Sequence, residues 1–128
     1  MEYFSTRDTA PRLTASEAIS RGLAPDGGLF VPDTLPQIGE AELAALLPLG
    51  YGERAKRILT AYLPEYSDAE LEALVSASYG KNFDTEAIAP VRFTDDKTGY
   101  LELWHGPTSA FKDMALQMLP QLLSAALK

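Results

Sequence analysis

His105-Gly106-Pro107-Thr108-Ser109-Ala110-Phe111-Lys112-Asp113 is the stretch on which the reading of this chain turns. Its glycine and proline break any preceding element, and a strongly amphipathic segment follows. From Phe111 the apolar residues recur as Met114, Ala115, Met118, Leu119, Leu122, Leu123 and Ala126, the spacing of a buried helical stripe. Lys112 falls in the first turn of that predicted helix, on the side carrying Ala115, Leu116 and Leu119. A lysine so placed is expected to be partly desolvated and close to the positive end of the helix dipole. Both effects disfavour the ammonium, as an amine that attacks a carbonyl requires. The plainer alternative is a lysine that buries its stem and keeps its charge in water. Pro120 removes a backbone donor from the same segment, so a kink or break is expected near Leu119.

Outward from this stretch, Pro90 to Phe93 and Tyr100 to Trp104 read as strands joined by the hairpin loop 94–99. Three helices are predicted upstream. Glu40 to Leu47 is stopped by Pro48 and Gly50, and Glu53 to Leu63 is ended by Pro64. A third helix opens at the capping-box spacing Ser67-Asp68-Ala69-Glu70 and stops at Gly80 and Asn82. Thr14-Ala15-Ser16-Glu17 is a second capping box, opening a brief helix that Gly22 closes. Tyr3 to Thr6 is a short strand, and the turn Pro25-Asp26-Gly27-Gly28 leads into the strand Leu29-Phe30-Val31. The fold class expected is α+β, mostly helical with short strands. A soft boundary near residues 80–90 divides a helical region, 1–83, from a strand–loop–helix unit, 84–128.

Composition narrows the function. At 128 residues the chain is about one domain, and 46% hydrophobic residues suffice for a core. A net charge of −7 argues against nucleic acid, which needs clustered cations. Without cysteine there are no disulfides, thiolate metal sites or thiol nucleophile, and a reducing cytoplasm fits that absence. No signal peptide is evident, and no apolar run approaches the roughly 20 residues of a membrane span. A soluble, cytoplasmic protein without membrane contact is expected.

His105 is the only histidine, and no serine sits in a nucleophile elbow, so serine hydrolase chemistry has no support. One histidine with scattered carboxylates does not make a metal site. Hydrogen bonds that order the loop are the simplest role for His105, and a place at a pocket mouth is the other. Asp113 reads as a carboxylate that complements the helix dipole. Arg7 and Lys97 are the cations considered for an anionic substrate.

HGPTSAFKDMALQ, residues 105–117, resembles the segment that carries the pyridoxal-phosphate lysine in the threonine synthases, members of the fold-type II pyridoxal-phosphate enzymes. Tyr3-Phe4-Ser5-Thr6-Arg7, the run Gly22 to Pro32, and Leu101-Glu102-Leu103-Trp104 are similar to further motifs of that family, in the same order. Asp8 departs from the family pattern, which has glycine after Ser-Thr-Arg. The resemblance implies that Lys112 holds pyridoxal 5'-phosphate and moves protons on the substrate, and that Phe111 packs against the cofactor ring. Periodicity alone instead makes Phe111 the start of the core stripe. The resemblance further implies substrate-side roles for Arg7, His105 and Thr108. It implies a carbon–oxygen lyase that converts O-phospho-L-homoserine and water to L-threonine and phosphate. No Ser/Thr/Gly-rich phosphate loop follows Lys112, so this chain is expected to be the N-terminal portion of an α/β enzyme, to need the remainder of its own chain, and to be inactive alone. A threonine-synthase-like phospho-lyase is the alternative enzyme. A non-catalytic helical interaction domain, docking a partner through its last helix, is the alternative from another class.

Overall fold

In a computed structural model that describes residues 1–128, local sequence signals set most element boundaries. Strand β1 (Tyr3–Ser5) pairs antiparallel with β2 (Phe30–Pro32), Tyr3 facing Pro32 and Ser5 facing Phe30. Leu13 bridges to Tyr3 through two backbone bonds of 2.8 and 2.9 Å. Between the strands, α1 (Ala15–Arg21) starts at the expected capping box. Glu17 N–H donates to Thr14 Oγ1 at 3.3 Å, and Thr14 N–H donates to Glu17 Oε2 at 2.9 Å. Gly22 ends the helix with φ 76°, a conformation that favours glycine.

Helices α2 (Glu40–Leu46), α3 (Tyr51–Tyr62) and α4 (Asp68–Ser78) follow. The second begins ahead of the expected Glu53. Its N-cap is Gly50, whose N–H donates to Glu53 Oε2 at 3.1 Å, and glycine has no side chain to announce a cap. The Ser67–Glu70 capping box is formed as read. Strands β3 (Val91–Phe93) and β4 (Gly99–Leu101) make an antiparallel hairpin. Asp95 Oδ1 shapes its turn by accepting the N–H groups of Lys97 and Thr98 at 2.8 and 2.7 Å. The second strand stops at Leu101 and does not reach Trp104, because Glu102 turns inward and is buried.

The predicted C-terminal helix is two pieces, α5 (Asp113–Leu116) and α6 (Leu119–Ala126). Pro120 lies in the first turn of the second piece, where its missing N–H leaves no bond unmade. The break re-aims the stripe. Met118 and Leu122 join Ala15, Leu63, Leu71 and Val75 in one core, whereas Phe111 is 66% exposed and Leu119 is 49% exposed. Phe111 therefore does not start the core stripe. The last helix packs on α1 and α4, so residues on both sides of position 83 share this core. Tyr3 ties the first strand to it, donating from Oη to the Tyr62 carbonyl at 2.7 Å.

Leu71 is fully buried at the centre of the core. Leu71→Ala is expected to destabilise the chain by about 2–5 kcal/mol, from lost transfer energy plus a cavity. Urea denaturation measures it, and a loss below about 1 kcal/mol would mean that the site collapses on the gap.

Candidate functional site

The lysine loop is held at both ends. At its entry, His105 lies between two carboxylates, with Nδ1 2.5 Å from Asp84 Oδ1 and Nε2 2.8 Å from Glu102 Oε2. Asp84 N–H also donates to the His105 carbonyl at 3.0 Å, and Arg92 Nε pairs with Glu102 Oε1 at 2.9 Å. A histidine donating to two carboxylates needs both ring protons. The hydrogen bond to Glu102, then that to Asp84, raises the imidazole pKa above its ordinary 6.5. His105 thus orders the loop, with both ring nitrogens engaged.

At the exit, Asp113 is fully buried. Its Oδ2 accepts the Thr108 N–H at 2.8 Å and the Thr108 hydroxyl at 2.9 Å, and its Oδ1 accepts from Gln117 Nε2 at 3.3 Å. Burial by itself raises this carboxyl's pKa. The Thr108 donors, Gln117 and the Ala110 N–H outweigh that effect and hold it below the usual carboxylate value. A Cβ on Gly106 would sit 2.5 Å from Asp113 Cβ, so only glycine lets the loop fold this closely on the carboxylate. Sequence reasoning took Asp113 for a dipole-complementing residue. The clue was present as a glycine and a threonine five to seven residues upstream, but spacing alone does not reveal the fold-back.

Between the two anchors the chain turns outward. Ser109 has φ 56°, and Lys112 caps the single-turn α5 with its side chain exposed. The expected desolvation is not supplied by these residues. Ala115, Leu116 and Leu119, expected on the lysine's side of one continuous helix, are exposed too, and the helix is broken between Leu116 and Leu119. Phe111 stands open beside them. A nearby cleft of about 390 Å³ is lined by Tyr79, Phe83, Asp84 and Ile88 among others, without Lys112.

Arg7 belongs to a separate cluster. Its Nη1 donates to the Asp26 carbonyl at 2.8 Å, and no hydrogen bond or ion pair joins it to the lysine loop. The Asp26 carboxylate accepts from Ser5 Oγ at 2.6 Å, Gly28 N–H at 2.9 Å and the Thr9 hydroxyl at 2.8 Å, which together strongly lower its pKa. A Cβ on Gly28 would meet Ser5 Oγ at 2.1 Å, so the Gly27-Gly28 pair is a filled turn and not an open phosphate cradle. Asp8 adopts φ 54°, the left-handed conformation that suits the glycine of the family pattern.

These features define the N-terminal portion of a fold-type II pyridoxal-phosphate enzyme: two short antiparallel pairs, a helical body and a lysine on a carboxylate-tied loop. A family model described as the threonine synthase N terminus matches residues 2–79, and the chain belongs to that family. It is 41% identical over 127 residues to the threonine synthase of Pseudomonas aeruginosa, covering 99% of this chain and 27% of that protein. It is 40% identical over 112 residues to human threonine synthase-like 1, covering 85% of this chain and 15% of that one. The crystal structure of pyridoxal-phosphate-bound threonine synthase from Brucella melitensis matches with a TM-score of 0.94 at 41% identity, over 99% of this chain and 27% of that chain. The chain thus spans about a quarter of the length of the threonine synthases it matches.

The His105 clamp carries a pH signature. Its raised pKa means that the folded state holds this proton more tightly than the unfolded state. The stability it contributes is full below the ordinary value of 6.5 and is lost as pH rises through the folded value. Urea denaturation of the parent and of His105→Gln from about pH 5.5 to about pH 9 should show the parent losing its advantage at the alkaline end. Equal pH slopes would remove His105 from the linkage.

Proposed function

We propose that this segment is the N-terminal and lysine-bearing part of a threonine synthase, which converts O-phospho-L-homoserine and water to L-threonine and phosphate. The observation that carries the proposal is the HGPTSAFKD loop, tied at both ends while Lys112 is presented outward. In this reading Lys112 holds pyridoxal 5'-phosphate covalently and, when free, takes and returns protons on substrate carbons. In the same reading Phe111, which is exposed, packs against the cofactor ring. Pyridoxal phosphate, when bound, supplies an electron sink for a carbanion. The enzyme class is a carbon–oxygen lyase acting on a phosphate ester.

The residues present fit the amine end of the cofactor and not its phosphate end. No open glycine-rich cradle lies beside the lysine, and the one adjacent glycine pair is filled by Ser5. We assign the phosphate cradle to sequence outside these 128 residues, with residues 1–83 as scaffold and 84–128 as the start of the catalytic region. Arg7, His105 and Thr108 remain the substrate-side candidates, and Arg7 alone keeps side-chain N–H groups uncommitted within the chain. The likeness to threonine synthase-like 1 supports a second reading, a phospho-lyase with the same lysine and a different product.

Lys112→Ala in the full-length enzyme is expected to lower threonine formation by at least ~10³-fold, the scale of losing an activated catalytic group. Borohydride reduction of the parent should fix the cofactor to Lys112, read by peptide mass. Phosphate release with threonine supports the synthase, and phosphate release without it supports the phospho-lyase. An unlabelled Lys112 together with an undiminished biological effect of Lys112→Ala would favour the interaction-domain reading. The 128 residues alone should show no turnover, and threonine made by them would overturn the assignment of the cradle.

A further inference from the structure

We propose that Asp113 is the positioning residue for Lys112, folding residues 106–113 into the shape that aims the lysine; the inference rests on the reading of Lys112 given above. Neighbours in sequence have opposite environments here. Phe111 and Lys112 are exposed, and Asp113, the first residue of α5, is completely buried. A carboxylate placed for the helix dipole would gain from the end of a long helix and could stay in water, yet α5 is a single turn of four residues. The carboxylate instead gathers the loop. It accepts both donors of Thr108 and the Gln117 amide.

The hub reaches the scaffold by a second route. Gln117 Oε1 accepts from Asn82 Nδ2 at 2.9 Å, and the same Asn82 amide donates to the Ser78 carbonyl at the end of α4 at 3.0 Å. Tyr79 Oη donates to the Met114 carbonyl, one residue beyond Asp113, at 2.6 Å. The direction of Lys112 is therefore fixed against the body of the domain as well as within its own loop. Ser109 is held at φ 56°, a conformation that a non-glycine residue keeps only where its surroundings over-determine it. Because Gly106 must lack a Cβ for this fold-back, the loop can be displaced from either side of the contact.

A misplacement of about 1 Å in a reacting group can cost 10²-fold in rate. In the full-length enzyme, Asp113→Asn and, separately, Gly106→Ala are each expected to lower kcat by roughly 10–100-fold with KM changed less than about 3-fold. The visible absorbance of the lysine-bound cofactor should shift in both variants. Deuterium uptake of the apoprotein peptide covering residues 106–113 should rise, since the asparagine amide keeps one acceptor oxygen in place of two and the alanine methyl pushes the loop off the contact. Thr108→Ser keeps both donors to Asp113 and should retain parental uptake. Parental kcat, absorbance and uptake in both variants would overturn the positioning role. So would an equal rise in uptake in Thr108→Ser, or activity lost only in proportion to folded protein. Borohydride labelling of the parent separates this failure from the broader one. An unlabelled Lys112 there rejects the cofactor reading itself, whereas a labelled parent with unaffected variants rejects only the role of Asp113.

Discussion

A charged carboxylate completely removed from water has to find donors for its oxygens, and in this chain the need to satisfy Asp113 determines the shape of the segment that matters most. The donors come from the loop that precedes it and from the helix that follows it. Once they converge, Gly106 has no room for a side chain, Ser109 is driven into the left-handed region, and the next side chain back along the sequence, Lys112, faces outward. A polar core contact thus sets the direction of an exposed residue. The hydrophobic core supplies the frame. Met118 and Leu122 anchor α6 against α1 and α4, and α5 packs on α6, so the loop hangs from a fixed edge.

The two anchors of the loop have opposite electrostatic character. The entry anchor is a cation held between carboxylates, and it needs its proton. The exit anchor is a carboxylate held among neutral donors, and it must not gain one. Lowered folded-state pKa at Asp113 and Asp26 means that their contributions are present above the unfolded carboxylate value and are lost as pH falls through the folded one. The histidine's contribution fails in the other direction. Both anchors are intact together only in the interval between those limits, in which the loop is held from both sides.

Local chemistry made much of this legible. The Thr14–Glu17 and Ser67–Glu70 boxes fixed two helix starts because one side chain and one backbone N–H satisfy each other across three residues. Pro120 foretold the break near Leu119 for the same local reason. Gly50 was silent as a cap, having no side chain to read. Phe111 was misread when periodicity alone was followed, because spacing says which residues share a face but not whether that face is covered. Lys112 was singled out by motif, and its exposure was not anticipated. Asp113 needed contacts with Gly106 and Thr108 that exist only after the chain folds back, and the Asn82–Gln117 link joins residues 35 apart in sequence. Those interactions lie beyond any window of helical or strand period.

The surface around Lys112 is itself informative about the proposed chemistry. Phe111 and Leu116 are apolar and open in the same short segment as the amine. In the hairpin, Val91, Phe93 and Leu101 share one face by register, and all three are more than half exposed. A two-stranded hairpin is marginal in water by itself, and contiguous exposed apolar surface marks a place where something packs. Proton transfer at a stabilised carbanion requires a site from which bulk water is excluded. These residues aim the lysine but leave it wet. In the proposed reaction, whatever covers Phe111 and Leu116 next to the lysine also dries the amine, so that packing of this segment and completion of the active site go together.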